Sequence, residues 1–419
     1  MAEAAGPRLA VVTHAHPSIS RGGSEIAAYT LYRGLLALGL PAIHVTVTPE
    51  ENEARLELAT PGEHVLLVPA GRQDAFYNAG TPGLAMDLAA LLRREGVGRI
   101  SFHHYLHLGL AGLRLAAALP GVTSLLTLHE YAAICLRDGQ MVTRPQHALC
   151  YGASPSACAT CFPEHDLSQF ALRRDRFLNA FAGLGGFVAP SRFLAARYAE
   201  WGLDPRRITV IENGLPRLAA PLPPRHRGQG RWVFGYFGQL NPYKGIDTLL
   251  AAAELIAARR ELAARLAIRL HGTIIGQPEG FREALEAAAR RHPFLSFAGP
   301  YPNEAVRPLM GECDYVLVPS RWWENSPVVI QEAFAAGRPV ICSDIGGMAE
   351  KVEDGVSGLH ARVGDPAELV AAMERAMDPD LAARLSAGLP RPCDGEEMAR
   401  RYLAAFAALS QPARLALAS

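Results

Sequence analysis

Two doubly wound α/β domains are predicted by three features of this 419-residue chain. Short apolar runs of strand length alternate with longer helical stretches. A segment rich in proline and glycine, PRLAAPLPPRHRGQG, breaks the alternation near the middle and has no periodicity of its own. Beyond it the alternation starts afresh. A chain this long exceeds one ordinary core, so the restart reads as a second domain. The expected boundaries are 1–214 for the N-terminal domain, with an insert at about 131–165, then a linker at 215–230 and a second domain at 231–390. Residues 391–419 hold a closing helix with no strand after it, able to pack back on the N-terminal domain.

Leu9–Thr13 reads as the first buried strand, followed by a loop ending in Gly22-Gly23 and a helix over about 24–37. Further strands of the first domain are expected at Ile43–Val47, Val65–Val68, Ile100–His103, Ser124–Leu128, Gly186–Ala189 and Ile208–Ile211. Helical stretches at about 84–95, 108–118, 167–183 and 191–200 separate most of them. In the second domain the strands are Val233–Phe237, Ala267–Leu270, Phe294–Phe297, Tyr315–Val318 and Val340–Cys342. Its helices are expected at 245–259, 280–290 and 366–376, with the amphipathic helix at 395–408 closing the chain.

The stretch from Pro319 to Met348 holds the densest chemistry. An apolar strand ends at Pro319, and Ser326-Pro327 supplies a helix start, with Ser326 as N-cap and Pro327 at the first helical position. The helix is expected to run to Ala336 and to stop at Gly337. Glu324 precedes the cap and Glu332 lies within the helix, while the amides of Val328 and Val329 stand at its positive end. A carboxylate on each side of an anion site suits a ligand that is hydroxylated, then anionic, then hydroxylated, the order of sugar, diphosphate and ribose. In an open parallel sheet, ligands bind at the carboxyl ends of the strands. The other polar clusters lie at such ends: Gly22-Gly23, His129-Glu130, and Gln239 to Lys244. Two such crevices facing each other across a cleft would close over two substrates and exclude water.

Composition narrows the function classes. A hydrophobic content of 49% with 20% charged residues is that of a globular enzyme. The formal net charge is zero, which favours neither nucleic acid nor an anionic membrane as partner. The stretch MAEAAGPRLAVV has no basic region followed by a secretory apolar core, so no secretory leader is expected, and no apolar run approaches the roughly 20 residues that span a bilayer. A cytoplasmic location is expected, with peripheral contact at the inner membrane face left open. The seven cysteines should then be reduced or metal-bound. No G-x-G-x-x-G follows the first strand, against a dinucleotide enzyme.

These residues resemble a known family. ENSPVVIQE, two glutamates with seven residues between, is similar to the signature of the retaining family 4 glycosyltransferases of the GT-B fold (glycosyl transferases group 1). GGSE at 22–25 resembles the family's N-terminal glycine loop, VIENG at 210–214 its hinge-preceding motif, and GQLNPYKG at 238–245 its phosphate loop. AGRPVICSDIGGMAEKVEDGVSGL resembles the distal half. The resemblance implies a UDP- or GDP-sugar as co-substrate, held mainly by the second domain, and no cofactor for catalysis. Glu332 would bind the ribose hydroxyls. Glu324, with the amides of Asn325 and Ser326, would orient the donor sugar, and Lys244 with the amides of Val328 and Val329 would take the diphosphate. Gly272, in LHGT, would allow close approach near the base or sugar, and Gly22 and Gly23 would offer amides to the same phosphate. His129, in LTLHE, matches a histidine that positions acceptor and sugar. The family's usual arginine in the phosphate loop is replaced here by Gln239, and Arg321 or Arg21 would have to substitute for it. The implied acceptor is a glycan, a lipid-linked glycan or a small molecule in cell-surface glycan or glycoconjugate synthesis. Two other readings stand beside this one: a nucleotide-sugar epimerase of the same fold, and a non-catalytic assembly subunit.

The insert carries Cys135, Cys150, Cys158 and Cys161, spaced C-x14-C-x7-C-x2-C. A Cys-x-x-Cys half-site with two further cysteines is a common structural zinc arrangement, and zinc would order some thirty irregular residues. His14, His16, His103, His104 and His107 fall near strand ends without a carboxylate cluster and read as polar cleft lining. Trp322 and Trp323 would pack the wall or stack on a sugar ring.

Overall fold

The computed structural model describes residues 7–409 apart from 21, 70–73, 145, 217 and 226–229. The chain divides into two compact units, Met1–Arg217 with Cys393–Ser419, and Leu218–Pro392. Unit 1 is built on β1 (Arg8–Thr13), β2 (Ala42–Pro49), β3 (Glu63–Val68), β4 (Val97–Phe102), β5 (Thr123–Thr127), β6 (Gly186–Ala189) and β7 (Ile208–Val210). They form one parallel sheet in the order β3-β2-β1-β4-β5-β6-β7. Unit 2 contains β8 (Trp232–Phe237), β9 (Leu266–His271), β10 (Leu295–Gly299), β11 (Tyr315–Val318), β12 (Val340–Ser343) and β13 (Gly358–Ala361). These too are parallel, in the order β10-β9-β8-β11-β12-β13.

Both sheets are doubly wound, as the alternation of apolar runs predicts. Strand order reverses between β1 and β4 in one and between β8 and β11 in the other, which opens a crevice at the carboxyl end of each sheet. Helices cover both faces, and so the strands are apolar throughout: every residue of Leu9–Thr13 and of Tyr315–Val318 is buried. Strand β13, absent from the strands expected by sequence, follows a three-residue turn, Gly355-Val356-Ser357.

The closing helix, Gly395–Leu409, lies on the helix Gly23–Ala37 within unit 1, where Met398, Tyr402 and Phe406 join Ala27, Leu31 and Leu35 in one buried cluster. Burying each such aromatic side chain contributes roughly 1.5–3 kcal/mol. Much of the proline-rich segment is fixed to unit 2. Arg338 is buried and donates to the carbonyls of Leu222 (3.5 Å) and Pro223 (2.8 Å). Among the described residues, no helix is long and apolar enough to cross a membrane.

Candidate functional site

In unit 2 the loops after β8, β9 and β11 bring the expected residues to one corner. Asn241 caps the short turn Pro242–Lys244 by accepting from the Lys244 amide at 2.9 Å. Gly245 then adopts φ 80°, and a Cβ there would stand 1.9 Å from the Pro319 carbonyl oxygen, so only glycine lets the loop after β8 seat against the end of β11. A backbone bond from Arg321 N to Tyr243 O, 2.7 Å, ties the same two loops. The result is a direct contact: Lys244 Nζ lies 2.6 Å from Glu324 Oε1. That oxygen also accepts from Ser320 Oγ and Trp322 Nε1, each at 2.8 Å. Burial would raise the Glu324 carboxyl, but the Lys244 ammonium and the Trp322 and Ser320 donors together hold it below the usual carboxylate range. The indole of Trp322 lies 5.1 Å from the Lys244 ammonium, and its ring stacks on Tyr243.

The helix that follows is Val328–Ala335, and its N-cap is Pro327, not Ser326. Pro327 has extended ψ 116° and no side-chain cap forms, so Ser326 turns inward instead. Its hydroxyl is buried and has no hydrogen-bond partner among the described residues. The amides of Val328 and Val329 occupy the first turn, where helix geometry leaves N–H groups without intrahelical acceptors. Glu332 sits on the same helix, and burial pushes its carboxyl up to about 7. A carboxyl so poorly solvated gains by hydrogen bonding to a hydroxylated ligand. Gly272 has φ 155°, and a Cβ there would fall 1.7 Å from the Gly238 carbonyl oxygen, so the loops after β8 and β9 touch backbone to backbone.

The charge that the neutral Gln239 does not carry was expected from Arg321 or Arg21. The Gln239 side chain is exposed, and its backbone carbonyl accepts from Tyr236 Oη at 2.6 Å. Arg321 makes an ion pair with Asp247 at the surface, so a local acid already occupies the charge assigned to the diphosphate. Arg21 lies outside the described residues.

Unit 1 gathers its own set. Gly22 and Gly23 open the helix Gly23–Ala37, and Glu25 in its first turn accepts from Ser20 Oγ (2.7 Å) and Ser24 Oγ (2.5 Å). Its carboxylate is 3.6 Å from His14 Nε2. His129, just past β5, has Nε2 at 2.8 Å from His103 Nδ1. The His103 ring stacks on Tyr402, whose hydroxyl pairs with Thr127 Oγ1 at 2.9 Å, so the closing helix supports the histidine pair from behind. Burial outweighs the pull of Glu25 and, with His14, drives His129 down to about 4. At neutral pH His129 is therefore an uncharged hydrogen-bonding group. His14, His103, His104 and His107 are lowered as well, burial being the chief cause in each. Glu25 and Ser320 are absent from the residues singled out by sequence, and Trp322 is read there as cleft wall or sugar-stacking ring, not as a donor to Glu324. Glu25 was legible in GGSE, but the two donors to Glu324 carry no motif.

The cysteine insert departs from its expected form. Cys158 and Cys161 lie on a helix, Pro155–Cys161, capped by Ser154 Oγ, and pack against Phe76, Phe162 and Phe170. Burial raises the Cys158 thiol to about 11, with further lift from Cys135, Cys150 and Cys161. None of the seven cysteines is in a disulfide. Among the described residues, no group of three or more His, Cys, Asp or Glu side chains is arranged to hold a metal ion. Order in the insert comes from this aromatic cluster and from Arg173, which is buried and donates to the carbonyls of Ala132 and Ala133.

Comparison with known proteins places both units. Residues 21–217 match the model of Glycosyltransferase Family 4, and residues 231–378 that of Glycosyl transferases group 1. Curated relatives include a D-inositol 3-phosphate glycosyltransferase of Nocardioides sp., 27% identical over 88% of this chain and 80% of the relative. Another protein of that name, from Thermobispora bispora, is 28% identical over 88% and 85%. Among solved structures, sucrose-phosphate synthase from Thermosynechococcus elongatus superposes with a TM-score of 0.68 at 19% identity, covering 96% of this chain and 97% of that one. Anabaena Alr3699/HepE in complex with UDP-glucose does so with a TM-score of 0.64 at 16% identity, covering 96% and 100%. At such identities the structural likeness speaks for the fold alone.

Proposed function

The chain belongs to the group 1, family 4 glycosyltransferases of the GT-B fold, and from that premise we propose that it moves a sugar from a UDP-sugar to an acceptor hydroxyl with retention of anomeric configuration. The observation that carries this reading is the Lys244–Glu324 contact beside the start of the helix Val328–Ala335. Transfer breaks the bond from the anomeric carbon to the diphosphate oxygen and forms one to the acceptor oxygen on the same face. The acceptor proton passes to the departing phosphate. Negative charge grows on that phosphate, so a fixed ammonium and first-turn amides stabilise the transition state more than the bound donor. Glu324, held ionised by three donors, orients the sugar hydroxyls, and Glu332 takes the ribose. His129, uncharged at neutral pH, positions the acceptor and the sugar. The relatives' name supports a cyclitol-like acceptor, and the complexes of Alr3699/HepE with UDP and UDP-glucose support uridine over guanosine. A role in glycan or glycoconjugate synthesis is the wider setting we propose.

The test is a thermal-shift series with UDP, GDP and ADP and their glucose conjugates, followed by product analysis. UDP and UDP-glucose should stabilise the chain, and Lys244→Ala should abolish most of that shift. Proton NMR of the product should show the donor's anomeric configuration. Stabilisation by no nucleotide at millimolar concentration, or an inverted product, would overturn the proposal.

A further inference from the structure

The transfer scheme makes no use of the insert at 131–165, whose four cysteines gather about one short strand. Val142 pairs antiparallel with Leu149, and Thr143 N donates to Ala148 O at 2.8 Å, which folds residues 141–150 into a hairpin. Three of the cysteines bond to its first strand. The Met141 amide is aimed at the Cys135 thiol, as is the amide of Arg137. Cys150 N donates to Met141 O at 2.8 Å, and the Cys150 sulfur lies against the Gly152 backbone. Arg144 N donates to Cys161 Sγ at 3.2 Å. Cys158 stands one turn before Cys161 on the helix Pro155–Cys161. Each of the four thiols is within electrostatic reach of the other three.

Four half-buried thiols are poorly matched to such surroundings while neutral, because S–H is a weak donor and sulfur a weak acceptor. Ionised, they would repel one another at close range. One soft dication removes both problems. Zinc takes four thiolates in a tetrahedron, whereas calcium and magnesium take oxygen ligands. The amides aimed at Cys135 and Cys161 are hydrogen bonds that a thiolate ligand keeps after its proton has gone. Charge is provided for as well. Four S–H groups lose their protons to solvent as four Zn–S bonds form, which leaves a double negative charge on the set. The guanidinium groups of Arg173 and Arg197 act on Cys158 and Cys150 and oppose that charge. Among the described residues no three side chains are drawn in to hold an ion, so closure of the irregular chain accompanies binding. We propose that Cys135, Cys150, Cys158 and Cys161 bind one structural zinc ion, which fixes the insert that follows His129. The inference stands apart from the donor and acceptor reading.

The experiment uses the full chain, expressed with added zinc and purified under reduction. Elemental analysis should find about one equivalent of zinc per chain. Cys158→Ser and Cys161→Ser should each lower that to about a tenth or less, while Cys313→Ala, in unit 2, should retain it. Reconstitution of the wild-type chain with Co(II) needs no variant to fold. It should give thiolate-to-cobalt charge-transfer bands in the near ultraviolet and the intense visible bands of tetrahedral cobalt. Iodoacetamide, read by peptide mass spectrometry, should spare the four cysteines until a chelator is added and then modify them. The chelator should also lower the midpoint of thermal unfolding. A wild-type chain holding less than about a tenth of an equivalent of zinc and giving no tetrahedral cobalt spectrum overturns the proposal. Full zinc retention in both serine variants does so too, as do disulfides among the four thiols with no metal uptake after their reduction.

Discussion

The contact between Lys244 and Glu324 can be weighed by a double-mutant cycle. Lys244→Met keeps the aliphatic stem and removes the ammonium, leaving Glu324 with two neutral donors in place of three. Removing one partner of a fully buried pair costs about 3–5 kcal/mol, and an exposed pair is worth about 0.2–1 kcal/mol. Glu324 is buried while the Lys244 side chain keeps 28% of its surface, so an intermediate cost of roughly 2 kcal/mol is expected. Glu324→Gln should cost about 1 kcal/mol, because the amide can still accept from Ser320 and Trp322. The double variant should lose little more than Lys244→Met alone, giving a coupling of about 1 kcal/mol. The pH dependence has a definite sign. The Glu324 carboxyl is depressed in the folded chain, so its stabilisation is full above the unfolded pKa of about 4.3 and is lost as pH falls through the folded value. The coupling should therefore hold from pH 8 to 6 and fade on acidification.

Urea denaturation followed by tryptophan fluorescence is the assay, since Trp232, Trp322 and Trp323 lie in unit 2 and only Trp201 in unit 1. Turnover supplies the second axis. Loss of one charge-stabilising donor to a leaving group costs about 100- to 1,000-fold in kcat, and the double variant should not recover it even where stability is shared. A coupling below about 0.5 kcal/mol, the limit of ordinary additivity, would refute the ion pair as a structural bond. Unchanged kcat in Lys244→Met would refute its part in departure of the diphosphate.

Trp322→Phe keeps the ring over Lys244 but deletes the indole donor, so it should cost about 1 kcal/mol and lower kcat several-fold with donor KM nearly constant; a change in KM alone would contradict a positioning role. Gly272→Ala should destabilise unit 2 by several kcal/mol, since positive φ strain of about 1–3 kcal/mol adds to a clash with Gly238, and wild-type stability in urea would refute the close approach. Glu332→Gln should trade affinity for stability. The folded carboxyl is raised to about 7, so its contribution is full below the unfolded pKa of about 4.3 and is lost as pH rises through 7. The variant should gain in urea midpoint relative to wild type across that interval while binding UDP more weakly, and a variant less stable than wild type at pH 8 would refute the buried, unpaired carboxyl.

What could be read from the sequence and what could not divide along one physical line. Strands covered on both faces must be apolar throughout, and loops that touch backbone to backbone must carry glycine, so Tyr315–Val318, Gly245 and Gly272 announce themselves locally. The glutamates and Lys244 are legible for the same reason, because their spacing is tied to one strand, one loop and one helix. Pairing is different. Arg321 looks like a spare cation for the diphosphate until the fold brings Asp247, 74 positions away, to its guanidinium. Ser326 looks like a cap until Pro327 takes that place and leaves the hydroxyl buried. The support of His129 depends on His103 and Tyr402, and Tyr402 reaches Thr127 across 275 positions. The cysteines are a related case: spacing fixes which thiols are neighbours along the chain, and the aromatic cluster beneath the insert decides where Cys158 and Cys161 pack.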